Sequence, residues 1–572
     1  MQEAGKYRKL EEMYMADTPK TRVRSARKDD FIAQGAMLAV ATVLTKVIGV
    51  IYRIPLANTL GDTGNGFYGY AYQIYAMALM VSSLSLPTAV SKLVSAKMAV
   101  GQKRNAVRVF ICSMAFGVGV GLVVTGVIFF GADAIAVHGM KSPLSVYALK
   151  MLAPGLFLVA VMAVIRGYFQ GLGSMMPTAV SQIIEQIIRA VVSIAGASIF
   201  IDIGTRAGEK TGEELLGPAY GAAGATLGTV LGALIALIFL GFILFTYKGK
   251  MKRQYRTDHT GRKESYRHIL KVLVLTALPI LFSTAIYNIN QILDLTIFNH
   301  IMESQGYVEE EYMALQGIYS GKYDPLVNVP LSISSALCAS VVPSLTAAVA
   351  RRSKKLVHEK IDQTLRLTMV LTIPCGAGFL VLASPLMVLL YNDASKTPAY
   401  LLMLGSVVVV LYGWSSISNS ILHGLNHIST PAINACVALV VHLVSFVIML
   451  ALFKMNVYAL AAGNIVFAIC MCWLNQRKVR RVCGFRINVA DTFIKPLIAS
   501  GVMGLVAYAV YLVLDLFVGG RWIPTIIAVC VAMAVYVVVV LKIGTLSDDD
   551  IKALPMGVRL LRWCRKLRLM PS

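Results

Sequence analysis

Lys46 and Arg53 stand seven residues apart in a largely apolar run at 31–57. Seven residues is nearly two helical turns, so both side chains share one helix face. Lys46 lies roughly 21 Å from the start of the run at 1.5 Å per residue, too deep for easy snorkelling. A charge in hydrocarbon costs about 2.5–3.5 kcal/mol on insertion scales, so ionisable residues there are functional candidates by default. Two cations on one face predict a strip that lines a cavity and meets phosphate. The competing reading is a snorkelling Arg53 and a Lys46 paired inside the bundle.

Glu185 and Arg189 sit at i, i+4 in the middle of another apolar run, beside Gln182 and Gln186. Such a pair can neutralise itself on one helix, so a structural brace and a ligand role both stay open. Asn288, Asn290, Gln291 and Asp294 cluster further on, with Asn290 and Asp294 on one face. Asp294 is a candidate to hold a cation, pair with a lysine or cap the bundle. Lys322 and Asp324 open the next run, followed by Pro325, Asn328 and Pro330. Paired prolines free backbone carbonyls, which membrane proteins tolerate where protein or a cavity covers them. Lys322 is a further candidate for substrate contact. His442 is isolated and reads first as an interhelical hydrogen-bond partner. Gly221, Gly224, Gly228 and Gly232 form a close-packing face with no chemistry implied.

No catalytic constellation accompanies these residues, and the reading is not an enzyme. No G-x-x-x-x-G-K-[ST] loop occurs, so a gradient, the membrane potential or mass action must supply the drive. Coupling to Na+ or H+ stays open. Nine scattered cysteines show no CxxC or zinc spacing, so no metal site and no cofactor is expected.

The elements that position these residues are membrane helices. Of 572 residues, 57% are hydrophobic and 14% charged, against about 25% charged in soluble domains. Each span needs roughly 20 apolar residues, and the pattern predicts fourteen. The net charge of +24 concentrates in alternate loops, as the positive-inside rule requires. That places both termini in the cytoplasm and argues against nucleic acid. Leu86-Pro87-Thr88 and Val342-Pro343-Ser344 correspond, as do Gly171-Leu172-Gly173 with Pro177 and Gly424-Leu425-Asn426 with Pro431. Shared order at a near-constant offset marks an internal repeat. Repeats of this kind build transporters that rock one bundle against the other. The expected fold is all-α: two pseudo-symmetric six-helix bundles plus a C-terminal helix pair. The expected divisions are a basic cytoplasmic tail (1–30), a first lobe (31–247), a basic linker (248–268), a second lobe (269–476), helices 13 and 14 (477–543) and a basic tail (544–572).

The run Thr45-Lys46-Val47-Ile48-Gly49-Val50-Ile51-Tyr52-Arg53-Ile54-Pro55, with Leu60-Gly61-Asp62-Thr63-Gly64 and Leu86-Pro87-Thr88-Ala89-Val90-Ser91-Lys92, resembles bacterial polysaccharide-transport and stage V sporulation protein B-like proteins. Pro177-Thr178-Ala179-Val180-Ser181-Gln182 and Pro325-Leu326-Val327-Asn328-Val329-Pro330 fit the same pattern. These families group with the MurJ-type lipid II flippases in the MOP exporter superfamily. The resemblance implies a V-shaped, two-lobed fold around a cationic cavity. Arg53 looks like the family's first-helix arginine, and Lys46 lies near another basic family position. Where a second arginine opens the family's eighth helix, this chain has Lys322 and Pro325. The family's acidic residue after the first helix corresponds loosely to Gly66 or Asp62. The last two helices imply a groove for a lipid tail, with Asp515 the exception to their apolar character. The implied activity is flipping an undecaprenyl-diphosphate-linked saccharide, lipid II foremost, across the bacterial cytoplasmic membrane by a monomer. Export of another lipid-linked oligosaccharide and cation-coupled multidrug antiport are the alternatives.

Overall fold

The computed structural model describes residues 26–258, 260, 263–427, 429–517 and 522–546. The expected basic tails fall outside the described residues at 1–25 and 547–572, as does the side chain of Asn288.

The first half of the chain forms α1 (Ala26–Leu79), α2 (Leu86–Ala99), α3 (Lys103–Ala134), α4 (Val146–Gly171), α5 (Met176–Thr211) and α6 (Leu216–Arg256). The second half forms α7 (Tyr266–Ser304), α8 (Glu309–Gly317), α9 (Asp324–Ala350), α10 (Lys354–Val381), α11 (Ala383–Tyr391), α12 (Lys396–Gly424), α13 (Ser429–Ala451) and α14 (Tyr458–Cys483). α15 (Lys495–Phe517) and α16 (Trp522–Lys542) follow. A π-helical turn, Ile318–Tyr323, joins α8 to α9.

Among the described residues, eleven helical segments are long and apolar enough to cross a membrane. The sequence predicts fourteen. α7 and α9 stand outside the eleven, and the first counted segment, Ala41–Leu79, contains a break. The chain is thus an all-helical, multi-pass membrane protein.

Gly61 makes that break, at φ 65° and ψ −177°. A left-handed φ is open to glycine at no steric cost. The break leaves carbonyls without helical partners, and Asn65 takes them up. Its Nδ2 donates to the Ala57 oxygen at 2.8 Å and the Gly61 oxygen at 2.6 Å. α1 therefore turns back on itself as two limbs, and the turn is built rather than frayed.

Small residues bring α5 and α6 into backbone contact. A Cβ at Gly196 would collide with the Gly224 carbonyl oxygen, and one at Gly232 would stand 2.7 Å from the Glu185 oxygen. This is the close-packing face expected from Gly221, Gly224, Gly228 and Gly232, and such faces drive helix association where lipid gives no hydrophobic gain. On the outer surface Leu505, Leu516 and Phe130 are 75%, 82% and 84% exposed. In water, that apolar area would cost about 25 cal/mol per Å²; against hydrocarbon it does not. α15 and α16 pack on α10, where the Tyr536 hydroxyl donates to the Val370 oxygen at 2.6 Å. Asp515 is exposed at the end of α15.

The two halves meet tightly at one end. Phe67 and Tyr70 of α1 share one buried cluster with Phe298 and Met302 of α7 and Met313 of α8. A Cβ at Gly66 would collide with the Met313 carbonyl oxygen, and one at Gly317 with that of Asp62. Tyr70 donates to the Leu295 oxygen at 3.2 Å, and Asn299 to the Met140 oxygen at 2.9 Å. At the opposite end the connection between halves is strapped to the α2–α3 turn. Asp258 accepts from the Arg104 backbone N–H at 2.7 Å, Lys97 pairs with Glu264, and Arg104 lies over the Tyr255 ring at 4.6 Å. α7 touches both halves: Ile269, Leu273 and Ala277 join the cluster of Leu86, Phe110 and Tyr168, whereas Asp294 bonds into the second half.

Candidate functional site

Arg53 lies on the first limb of α1, eight residues and about two turns before the Gly61 break. Its guanidinium is half-buried and stands 5.8 Å from the centre of the Tyr72 ring on the second limb, a cation–π arrangement. The turn at Gly61 is what brings the two side chains of one helix together. Arg53, Tyr68 and Tyr72 line one wall of a cavity whose other wall is Ser320, Asp324 and Pro325. The cavity therefore lies between the halves, with a cation from one facing a carboxylate from the other. Its volume is about 50 Å³. A water needs about 10–15 Å³ by this measure, so the space admits a few waters and no sugar.

Lys46 shares the face of Arg53, and between them Gly49 stands against Gln186 of α5: a Cβ there would be 3.1 Å from its Nε2. Lys46 is exposed and has no hydrogen bond or ion pair among the described residues.

Lys322 is 6% exposed and is not part of the cavity lining. Its Nζ lies 2.6 Å from Asp62 Oδ1 and 2.5 Å from Asp393 Oδ2. Asp62 follows Gly61, and Asp393 follows α11 in the second half. Asn58 adds a bond from Nδ2 to the Leu390 oxygen at 3.1 Å. Burial pushes the Asp393 carboxyl up, but hydrogen bonds from Lys322 and Ser395 outweigh it and hold it below the usual carboxylate range. The Lys322 charge is committed to two carboxylates, one from each half, beside the cavity that Ser320 and Asp324 line; this junction is termed the mouth.

Glu185 and Arg189 pair at 2.7 Å, as their spacing predicts. The structure adds a third member. Arg166 of α4 reaches Glu185 Oε2 at 3.0 Å and donates from Nε to Ser181 Oγ at 2.9 Å. One carboxylate serves two guanidiniums, leaving one surplus positive charge inside the first half. All three side chains are 13–14% exposed. Arg166 is not among the residues singled out from the sequence; it closes an apolar run at Ile165, and a lone arginine there is the signal that could have found it.

Asp294 stands apart from Arg53 and bonds to His442 of α13 at 2.6 Å, with both side chains buried. The cavity's carboxylate is Asp324, which sequence reasoning placed at a helix start without assigning it a role. No cluster of metal-ligating side chains exists among the described residues.

A family model described as polysaccharide biosynthesis protein matches residues 31–349, more than half of the chain, and the chain belongs to that family. It is 25% identical over 542 residues to the lipid II flippase MurJ of Bacillus subtilis (strain 168), spanning 91% of this chain and 96% of the relative. It is 27% identical over 555 residues to the uncharacterized membrane protein YabM of the same organism, spanning 94% and 98%. Stage V sporulation protein B of that organism is 22% identical over 543 residues, spanning 93% and 99%. Among solved structures, lipid II flippase MurJ in an inward closed conformation superposes with a TM-score of 0.61 at 15% identity, over 88% of this chain and 98% of that one. An inward-facing multidrug resistance MATE family transporter gives 0.59 at 14% identity, over 78% and 98%. These two likenesses establish the fold.

Proposed function

We propose that this protein flips an undecaprenyl-diphosphate-linked saccharide, lipid II foremost, across the bacterial cytoplasmic membrane by alternating access. The observation that carries the reading is Arg53, a half-buried cation that lines a cavity between two halves. A cation there replaces the hydration that a diphosphate loses on entering hydrocarbon. The described state is read as occluded, since its cavity has room for only a few waters. Fourteen spans, grouped as lobes at 31–247 and 269–476 with a tail-binding pair at 477–543, fit this cycle. Both termini then lie in the cytoplasm, and the Lys322 mouth faces outward. At 100 mV, negative inside, moving each negative charge outward gains about 2.3 kcal/mol.

Arg53 is assigned to the diphosphate in the occluded state. Lys46 meets it on entry, and Arg189, held by Glu185, adds positive potential behind both. Lys322 is assigned to the outward-open state, after its carboxylates part. Asp294 acts on the cycle without touching the lipid. The named relatives support the lipid-linked class. The family description equally supports another polysaccharide precursor, and the MATE likeness extends to fold alone. Depleting the protein from its host and identifying the lipid-linked precursor that accumulates on the inner leaflet tests the reading. Accumulation of none overturns it; accumulation of a precursor other than lipid II replaces the substrate and keeps the mechanism.

A further inference from the structure

The Asp294–His442 pair is buried, titratable and unused by the cation strip. His442 is fully buried, and Asp294 keeps 7% of its side-chain exposure. The imidazole is held face to face by Phe446 at 5.9 Å and edge-on by Phe467 at 6.1 Å. A Cβ at Gly463 would stand 2.8 Å from its Cε1, so glycine makes room for the ring. Histidine is the side chain whose charge changes near neutral pH. With a proton, imidazolium donates Nε2–H to the carboxylate and the pair is neutral. Without it, one negative charge remains in a low-dielectric interior, which is strongly disfavoured.

A continuous set of contacts joins the pair to the mouth. Phe467 stacks on Tyr412 at 6.2 Å, and Tyr412 donates to Asn464 Oδ1 at 3.0 Å. Asn464 Nδ2 donates to the Tyr319 hydroxyl at 2.8 Å, and Tyr319 stacks on Tyr323 at 5.0 Å. Tyr323 adjoins Lys322, whose ammonium holds Asp62 and Asp393. Contact alone is no coupling; coupling needs an element with two arrangements that both sites bias. The Lys322 clamp, made across two halves, is the element assigned that role. The titratable groups in electrostatic reach of the pair are Tyr412 on α12, Tyr319 on the 318–323 turn and, through them, Asp324 on α9. α14 presents Gly463, Asn464 and Phe467, none of which titrates.

We propose that Asp294 and His442 form a proton-binding site whose occupancy holds the Asp62–Lys322–Asp393 mouth closed. The structure described is the protonated, closed state. Releasing the proton leaves the carboxylate uncompensated and favours the arrangement that rehydrates it, with the mouth open. Its use in transport rests on the flippase reading: a proton taken up outside closes the mouth, and its release inside precedes outward opening with cargo. The result is exchange of one proton inward for one lipid outward.

The test needs no lipid substrate. Spin labels at Thr63 and Ala394, across the mouth, report its width in the purified full chain in lipid nanodiscs between pH 5.5 and 8.5. The closed-to-open ratio should fall with rising pH by up to about tenfold per unit, the limit for one coupled proton. H442Q should keep the fold and abolish this slope, and D294N should do the same. Absence of a slope in the wild-type chain, or an equal slope in H442Q, overturns the proposal. Should H442Q not fold, the wild-type titration and D294N still decide it. A pH-dependent mouth with no lipid flipping would refute the flippase reading and leave the proton site standing.

Discussion

Lys322 Nζ lies 2.6 Å from Asp62 Oδ1, and this bond crosses from the second half of the chain to the first. With Asp393 at 2.5 Å it adds an ionic fastener to a seal otherwise made of apolar packing and neutral hydrogen bonds. Removing one partner of a buried ion pair costs about 3–5 kcal/mol, because the remaining charge is left unpaired. Lys322→Met leaves two carboxylates facing each other. The mouth should then open, and a cysteine placed at Ser320 should react with a membrane-impermeant thiol reagent at least several-fold faster than in the parent. An unchanged rate would show that the apolar cluster alone closes this end.

Arg53→Ala should abolish complementation in a flippase-depleted strain while protein levels stay normal. Arg53→Lys keeps the charge and loses the planar face set toward Tyr72, and should rescue in part. Full activity of the alanine variant would remove Arg53 from the pathway.

Glu185→Gln should destabilise the protein by roughly 3–5 kcal/mol, since it strands Arg166 and Arg189 with no carboxylate between them. A thermal-unfolding assay in detergent reads this directly. Replacing all three by leucine, methionine and glutamine should recover much of the stability without recovering transport. A stable but inactive triple variant would separate the brace from the positive potential it maintains.

Asp393 contributes to closure with a defined pH sign. Its carboxyl is held below the ordinary aspartate range, so its contribution is complete above that range and lost only as pH falls through the depressed value. Acidification from pH 8 to pH 5 should therefore leave this part of the clamp intact. Mouth opening on mild acidification, measured by the Ser320 cysteine, would contradict that assignment.

What the sequence made legible was whatever repeats along one helix. Glu185 and Arg189 at four residues and the glycines of α6 each declare a face, and the structure pairs and packs them so; of Lys46 and Arg53 at seven, only Arg53 lines the cavity, and Lys46 is exposed. Pairings between distant helices left no such trace. Asp62 and Asp393 bracket Lys322 from segments far away in sequence, and Asp294 meets His442 only because α7 and α13 pack together. Arg166 was hidden by its position at the edge of an apolar run. Asp324 was hidden because carboxylates are common at helix starts, and only the Gly61 turn of α1 reveals that it faces Arg53.

α7 has a mechanical consequence. Its first turns are embedded among Leu86, Phe110 and Tyr168, while Phe298 and Met302, near its other end, sit in the seal beside Phe67 and Tyr70. A stiff rod anchored at two places cannot follow one partner without prying at the other. In the proposed cycle, opening the mouth makes α7 the crowbar: it must bend between these two anchorages or surrender one of them.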